Sequence, residues 1–222
     1  MTGKMMSSGI RDDWAPHAFP ADPVAAKRLQ DWLLAADRQG IDAVGLDFSG
    51  ADLSGGEFNE SWFTDAKLAN VNLARTDFYR ADLQGADLSG ADLTSASLVR
   101  ATLDDAVLQG TILDAADFVK ASLYGVNASG ASFRGARLMG ASFLEVNLCG
   151  ADLTDAVVQE NSFQVKVDDR TILRGFSGSL FGPVEYLGQE GVREIGGDDL
   201  ENWINGRGGN VTVIPRKLKS GS

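Results

Sequence analysis

The sequence predicts an all-β solenoid, and three features of the middle of the chain predict it. Every fifth residue from Phe48 to Phe163 is apolar, and 22 of these 24 positions are Leu or Phe. The residue two places before each of them is mostly small, usually Ala. A period of five fits neither an α-helix nor a β-strand. It fits a chain that turns a corner every five residues and points one large and one small side chain inward.

The repeated letters themselves are specific. Residues 51–55 and 86–90 read ADLSG, residues 81–85 read ADLQG and residues 91–95 read ADLTS. These motifs resemble the pentapeptide-repeat family, and the resemblance extends over about 120 of the 222 residues. It implies a right-handed quadrilateral β-helix with four pentapeptides per coil. The 24 units then make about six coils, a rod about 29 Å long at the usual spacing of neighbouring strands.

Stacked coils would bury their apolar residues in continuous ladders, with residues 20 apart lying above one another. We expect a core ladder, thinned where Ala128 replaces a large residue, made of Phe48, Leu68, Leu88, Leu108 and Leu148. We assign residues 46–165 to this β-helix.

Residues 1–45 are predicted to hold an N-terminal segment with a capping helix over residues 23–38. Asp22 is a typical N-cap residue, Pro23 suits the first helical position, and Gly40 follows the last turn. The helix should cover the open edge of the first coil. Its apolar residues recur at helical spacing: Val24, Leu29, Trp32, Leu33 and Ala36. We expect Trp32 to pack in the core, and a ligand platform is the alternative.

Residues 166–222 are predicted to form a small α+β module, a C-terminal cap in the first interpretation and a dimer or partner surface in the second. Phe181–Leu187 and Val192–Ile195 would pair as a hairpin around a turn between Gly188 and Gly191. A short helix would begin at Asp198 or Asp199 and run through Trp203. Val211–Ile214, followed by Pro215, would form a terminal strand.

Composition excludes several classes of protein. Apolar residues make up 44% of the chain, which supports a packed core, and the net charge of −11 argues against a general nucleic-acid or membrane-surface binder. One cysteine, Cys149, excludes an internal disulfide, and one histidine, His17, excludes a Cys/His zinc site. No apolar run reaches the roughly 20 residues that span a bilayer, and the first residues lack a signal-peptide pattern, so we expect a cytoplasmic location.

We predict no enzymatic activity, no catalytic residues, no cofactor and no metal site. A Ser-His-Asp or Cys-His set cannot be assembled from a single histidine in the N-terminal segment. Paired carboxylates are expected as solvated outward residues, and Cys149 as an inert thiol that points outward. The Gly-rich stretches at 174–182 and 206–209 lack the spacing of a phosphate-binding loop.

Two surfaces are candidates for binding. Residues 46–165 hold 17 Asp and Glu against 7 Lys and Arg, a net charge of −10. The predicted acidic surface consists of Asp47, Asp52, Glu57, Asp77, Asp82, Asp87 and Asp92. The second surface is the Phe58 side, the stack of five-residue units whose central residues are Phe58, Phe78, Leu98, Phe118 and Leu138. It carries a cation column of Arg80, Arg100 and Lys120 beside an exposed apolar strip of Tyr79, Val99, Val119 and Met139.

Two interpretations of the cation column are open. Its members pair with Asp77, Asp104, Asp105 and Asp117 while their stems cover the strip, or this side binds an anionic or apolar partner.

The resemblance implies action through protein–protein interaction, without direct contact to nucleic acid or membrane. Qnr- and MfpA-type members resemble duplex DNA in width and charge and bind DNA gyrase or topoisomerase IV. One hypothesis is therefore a bacterial DNA mimic that binds these topoisomerases in antibiotic resistance or self-immunity. The mimicry would be partial, because duplex DNA carries one charge per ~1.7 Å. The alternative is a rigid scaffold unrelated to topoisomerases, acting through the Tyr79–Met139 side or the C-terminal module. The resemblance also implies a homodimer.

Overall fold

The computed structural model describes residues 14–36 and 39–215. Along the chain follow α1 (Pro23–Leu33), a long run of short turns, and then β1 (Ser142–Asn147), β2 (Val157–Asp168), β3 (Ser177–Phe181), β4 (Val184–Gly188), β5 (Gly191–Ile195), α2 (Gly197–Asn205) and β6 (Asn210–Val213). None of the helices in these described ranges is long and apolar enough to cross a membrane.

Parallel bridges join residues that lie 20 positions apart. Asp47 bridges to Lys67, Lys67 to Asp87, and Asp87 to Val107. The amide of Phe48 accordingly donates to the carbonyl of Lys67 at 2.9 Å. Residues 20 apart therefore lie side by side with four five-residue units between them, which defines a β-solenoid. Single bridges take the place of long strands because the chain turns again after a few residues.

Each five-residue unit turns at the residue two places after its central one. That residue takes a left-handed backbone conformation, with φ between 53° and 76°. Glycine adopts this conformation without strain, which explains the final Gly of the ADLSG motif. Thirteen corners nevertheless carry a side chain, Arg80 and Arg100 among them.

The interior is filled by the central residues and by the small residues two places before them. Phe48, Leu68, Leu88, Leu108 and Leu148 are all fully buried, and so is Ala128 in the same stack. The small positions leave room at the corner, and several carry Ser or Thr instead of Ala. The threonine hydroxyls donate to a backbone carbonyl, as Thr111 does to Leu88 at 2.8 Å, and the Ser61 hydroxyl accepts from the Ile41 amide at 3.0 Å. A polar atom is therefore buried without losing its hydrogen bond.

Helix α1 covers the first units, and it is shorter than the predicted helix over 23–38. The Asp22 side chain accepts hydrogen bonds from the amides of Val24 and Ala25, so Asp22 is the N-cap. After Leu33 the Leu34 amide donates to the Gln30 carbonyl at 3.1 Å and the Ala35 amide to the Trp32 carbonyl at 3.2 Å, so the last turn tightens and the helix ends. Residues 37 and 38 lie outside the described residues. Val24 is 59% exposed, and the helix buries Ala25 and Leu29 instead.

The solenoid continues across the boundary predicted at residue 165. Strand β2 runs through that boundary and pairs in parallel with β1, β3 and β4. Ser142 pairs with Ser162, 20 residues on, whereas Val146 pairs with Val165, 19 residues on. The period of five disappears because β2 is extended and buries Phe163, Val165 and Val167 at alternate positions. Strands β3 to β6 therefore share one sheet with the last part of the solenoid.

The last part of the chain forms the hairpin, helix and strand that its sequence predicts, with different bounds. Strands β4 and β5 pair antiparallel around residues 189–190. Helix α2 begins at Gly197, and Gly196 is its N-cap without a side-chain hydrogen bond. Strand β6 pairs in parallel with β3, so the sheet order is β5-β4-β2-β3-β6.

Candidate interaction surfaces

The predicted acidic surface is built from residues that stabilise their own turns. Six of its seven members accept a hydrogen bond through Oδ1 from the backbone amide two residues later, at 2.9 to 3.1 Å. An aspartate in this position replaces a backbone acceptor and holds the turn. The six are Asp47, Asp52, Asp77, Asp82, Asp87 and Asp92. The six aspartates before central apolar residues are thus explained by folding alone, and Glu57 is not.

Neighbouring units also bond to these carboxylates. The Asn72 amide donates to Asp52 Oδ2 at 3.0 Å, and the Lys67 ammonium lies 3.6 Å from Asp47. Burial raises the pKa of Asp52, but hydrogen bonds from Ser54 and Asn72 outweigh it, so this pKa lies below its ordinary value. Hydrogen bonds from Ser49 likewise lower the pKa of Asp47. These hydrogen bonds stabilise the ionised carboxylates, and the Lys67 ammonium offsets the charge of Asp47.

The cation column lies at the corners of the Phe58 side. Arg80, Arg100 and Lys120 have φ of 56°, 61° and 61°, and all three side chains are exposed. Arg80 lies 3.7 Å from Glu60 and has its guanidinium 5.5 Å from the ring centre of Tyr79. Among the described residues, Arg100 and Lys120 make no ion pair.

The pairing expected for these cations is wrong. Asp117 pairs instead with Arg137 at 3.0 Å, and Asp77 bonds to the Tyr79 amide. Asp104 accepts from the Ser122 hydroxyl and from the Tyr124 amide, 18 and 20 residues later. The apolar strip also differs from expectation, because Tyr79, Val99, Val119 and Met139 are half-buried and not exposed. Units stacked about 4.8 Å apart cover much of each side chain in such a column.

More exposed apolar side chains lie elsewhere, and sequence reasoning did not select them as sites. Trp62 is 51% exposed between Asp42 and Asp82, its bridge partners. Ile112 and Tyr124 are also exposed. The available signal was a large apolar residue next to a central position, where the repeat usually places Asp, Asn or Ser.

The structure brings one histidine, one serine and one aspartate together, but not in a catalytic order. His17 Nδ1 lies 3.3 Å from Ser54 Oγ, and that hydroxyl donates to Asp52 Oδ1 at 2.7 Å. In a catalytic triad the serine and the aspartate bind different nitrogens of the histidine, whereas here both lie near Nδ1, with Asp52 at 3.6 Å, and the serine bonds to the aspartate directly. Ser54 is also buried. The contact anchors the N-terminal segment on the solenoid.

Cys149 is half-buried, and burial followed by the charge of Asp168 raises the pKa of its thiol. A raised pKa disfavours the reactive thiolate. Within residues 14–36 and 39–215, no group of three or more His, Cys, Asp or Glu side chains could hold a metal ion.

The fold and its surfaces define a β-solenoid made of five-residue units, with each side formed by stacked turns. The family model "Pentapeptide repeats (8 copies)" matches overlapping stretches that together run from residue 39 to 155, more than half of the chain. The chain belongs to the pentapeptide-repeat family.

Solved structures of this family resemble the chain at low sequence identity. HetL from Nostoc sp. strain PCC 7120, a protein involved in heterocyst differentiation regulation, is 26% identical over 64% of this chain and 75% of its own, with a TM-score of 0.50. Rfr23 from Cyanothece 51142 is 23% identical over 56% of this chain and 89% of its own, with a TM-score of 0.46. A trypsin-treated form of QnrB1, a plasmid-mediated fluoroquinolone resistance protein, is 22% identical over 74% and 97%, with a TM-score of 0.38. No curated protein matches the chain.

Proposed function

We propose that this protein acts without catalysis, by protein–protein interaction, and that the Tyr79–Met139 side of the solenoid is its contact surface. One observation carries the proposal. Arg100 and Lys120 stack at neighbouring corners of this side, each with φ of 61°, and are exposed cations that make no ion pair among the described residues. A left-handed residue with a side chain costs about 1 kcal/mol.

Folding therefore explains why the aspartates are present in the repeat, but it does not explain the cations. Aspartates of the acidic surface hold their own turns, as Asp82 does with Gln84. Arg100 and Lys120 form no ion pair among the described residues, and their backbone conformation gains nothing from a long side chain. Half-buried Val99 and Val119 lie next to them in the chain. Two free cations beside apolar side chains suit a partner surface that combines carboxylates with apolar groups.

The proposal is tested by comparing proteins captured from a lysate by the wild-type chain and by two surface variants. Arg100→Gln and Met139→Glu each make the proposed surface one unit more negative, and Gln109→Glu makes the same change in charge on the Phe48 side. We expect a partner that binds the wild type and Gln109→Glu but is lost with both other variants. An identical set of captured proteins for all four chains would refute this surface.

A partial DNA mimic that binds DNA gyrase or topoisomerase IV is the second candidate function. Asp82, Asp87 and Asp92 use Oδ1 for their turns, and within the described residues their Oδ2 atoms accept no hydrogen bond. These oxygens offer negative charge along three successive sides of the solenoid. In a gyrase supercoiling assay with and without a fluoroquinolone, a mimic would inhibit supercoiling or protect the enzyme at micromolar concentration. No effect would leave the scaffold as the function.

We also make proposals about the cross-section of the solenoid and about the oligomeric state of the protein. We infer a right-handed quadrilateral cross-section, because four corners separate stacked residues and the family resemblance implies this shape. We also propose a cytoplasmic homodimer that has no cofactor and contacts neither nucleic acid nor membrane directly. Light scattering at micromolar concentration tests the dimer, and a mass of one chain would refute it.

A further inference from the structure

The two edges of the terminal sheet differ in whether side chains bond to their outward backbone groups. At the β6 edge they do. The Asn205 side chain accepts from the Val211 amide at 2.9 Å and donates to the Val211 carbonyl at 3.1 Å. Glu201 Oε2 accepts from the Val213 amide at 2.8 Å. Side chains of α2 thus occupy the groups that a further strand would need. Edges closed in this way resist pairing with other chains.

Strand β5 is the opposite edge, and residues 191–194 are all exposed. Gly188 and Gly191 form the residue pair that closes the two-residue loop, and such a pair is hydrogen-bonded. From there, hydrogen-bonded and non-hydrogen-bonded pairs alternate along the hairpin. By this alternation Arg193 bonds to β4, while the backbone groups of Val192 and Glu194 point away from it. The described residues place no side-chain cap like that of Asn205 on this edge.

A cleft of about 550 Å³ lies between this hairpin and the side of the solenoid that carries Tyr124. This volume is typical of ligand pockets. Val165, Pro183 and Val184 supply apolar lining, and Lys166 supplies one cation. Its acidic lining residues are Asp105, Glu145, Glu185 and Glu194.

Two of these acids face each other within the hairpin. Glu185 and Glu194 are cross-strand partners, and like charges directly opposite each other destabilise a sheet. Lys166 of β2 lies opposite Glu185 on its other side, so Glu194 at the outer edge is the acid that a further cation would stabilise. Two residues away on the same face, Leu187 and Val192 form an exposed apolar pair. The edge therefore presents an acidic position next to an apolar one.

A second copy of this strand does not fit the edge in the registers centred on the middle of β5. Antiparallel self-pairing must join residues whose backbone groups both point outward or both point toward β4. A two-fold axis at Arg193 places Arg193 opposite itself, and an axis at Glu194 places Glu194 opposite itself. An axis at Val192 places Glu190 opposite Glu194. Each of these three registers, which are centred on the middle of β5, brings like charges together.

We propose that the outer edge of β5 binds an extended basic segment of a partner protein by strand addition. A Lys or Arg of that segment lies opposite Glu194 in the cleft, and an apolar residue two positions along lies opposite Val192. Main-chain hydrogen bonds to Val192 and Glu194 supply affinity, and the alternating side chains supply specificity. This site shares no residue with the Tyr79–Met139 side, so either proposal can fail without the other.

The test uses the full chain and a labelled eight-residue peptide, capped at both ends, with the sequence Thr-Val-Thr-Lys-Thr-Val-Thr-Lys. Saturable binding is measured by fluorescence anisotropy at 150 mM salt. We expect Glu194→Gln to weaken binding about tenfold, as the loss of a desolvated ionic contact does. Glu57→Gln removes a carboxylate of the solenoid far from β5 in the chain and is the matched control, with no change expected. A peptide with Glu in place of Lys should not bind.

Strand addition is tested separately from charge. Val192→Pro removes an outward N–H, whereas the bonds of β5 to β4 come from its neighbours. We expect this variant to lose binding while keeping the wild-type circular dichroism spectrum. A peptide methylated on alternate backbone nitrogens keeps its charges and should also fail to bind the unaltered protein. Two methylated peptides are used, one with methyl groups on the odd-numbered nitrogens and one on the even-numbered nitrogens. The proposal is overturned if no saturable binding occurs, if both methylated peptides bind fully, or if Glu57→Gln and Glu194→Gln weaken binding equally.

Discussion

The indole ring of Trp32 stacks on the ring of Phe58, with ring centres 5.6 Å apart and planes 26° from parallel. Phe58 in turn stacks on Phe78 at 5.5 Å, and Trp14 meets the edge of Phe58 at the same distance. The N-terminal helix thus extends the aromatic ladder of the solenoid by one ring. This stack covers an end that would otherwise expose large apolar side chains.

Replacing Trp32 with alanine should therefore destabilise the whole solenoid. Because Trp32 is only half-buried, we expect a loss of about 2–3 kcal/mol in the free energy of unfolding, below the range for fully buried Trp. Urea unfolding followed by circular dichroism measures it. Leu34→Ala is the control next to the helix end, since Leu34 is 78% exposed and should change stability by less than about 0.5 kcal/mol.

Arg100→Gly should raise stability, because Arg100 holds a left-handed conformation with φ of 61°. Relief of strain exceeds the added chain entropy of glycine, and we expect a gain of about 0.5 kcal/mol in urea unfolding. Thr102→Gly, at a bridge position, should instead lose roughly 0.5–1 kcal/mol. A stability loss with Arg100→Gly would mean that this side chain supports the fold, contrary to the proposed function.

Gly178→Ala should be more damaging than alanine at an ordinary corner. Gly178 has φ of 118°, and an added Cβ would lie 1.8 Å from the Val158 carbonyl oxygen, so the backbone must move. We expect a loss of about 2 kcal/mol or more by thermal or urea unfolding. Gly130→Ala, where the added Cβ meets open space, should lose only about 1 kcal/mol. If both variants lose the same stability, the positive φ accounts for the loss at Gly178 and the contact with Val158 contributes nothing.

The Asp52 carboxylate should make stability depend on acidic pH. Its pKa is lowered in the folded protein, so its contribution is complete above the unfolded value near 3.8 and is lost as pH falls through the lower folded value. Asp52→Asn keeps an acceptor for the Ser54 amide but does not titrate. We expect the urea midpoint of this variant to fall less than that of the wild type between pH 5 and pH 2.5. Parallel curves would show that Asp52 has the same pKa in both states.

Asn205→Ala should expose the edge of β6 that the Asn205 side chain now occupies. The Val211 amide and carbonyl would lose their partner and become available to another chain. We expect association that increases with protein concentration, measured by light scattering. Asn202→Ala, on the same helix with an exposed side chain, should behave like the wild type. If both variants have the wild-type mass, Asn205 contributes to folding alone.

Much of the architecture could be predicted from the sequence because the period of five is local and nearly uninterrupted. Leu88 and Leu108 are both fully buried, in units that parallel bridges hold together, as that spacing requires. Prediction failed where the spacing changes. In β2 the alternation of Phe163, Val165 and Val167 looks like a new module, yet backbone pairing with β1 continues there. Pairing depends on the neighbouring strand, which the spacing of one segment does not reveal.

The candidate surfaces were predicted less well, because a column of charges does not show what each charge bonds to. Asp117 was expected to pair with the cation column of the Phe58 side. It forms its ion pair with Arg137 instead, 20 residues later in the chain. Which oxygen of Asp82 is engaged likewise depends on the turn geometry at Gln84. Only the three-dimensional structure distinguishes the acids that hold turns from the cations that have no ion pair among the described residues.

The amino-acid order alone determined that the chain coils in five-residue steps, because only that spacing buries Leu and Phe on the inside of successive corners. Tertiary structure decided which surfaces remain available. Stacking placed a carboxylate, an amide or a neighbouring side chain beside most charged groups, and helix α2 closed one sheet edge while β5 stayed open. Those outcomes depend on contacts between residues 20 apart or on different elements, and such contacts exist only once the coils are stacked.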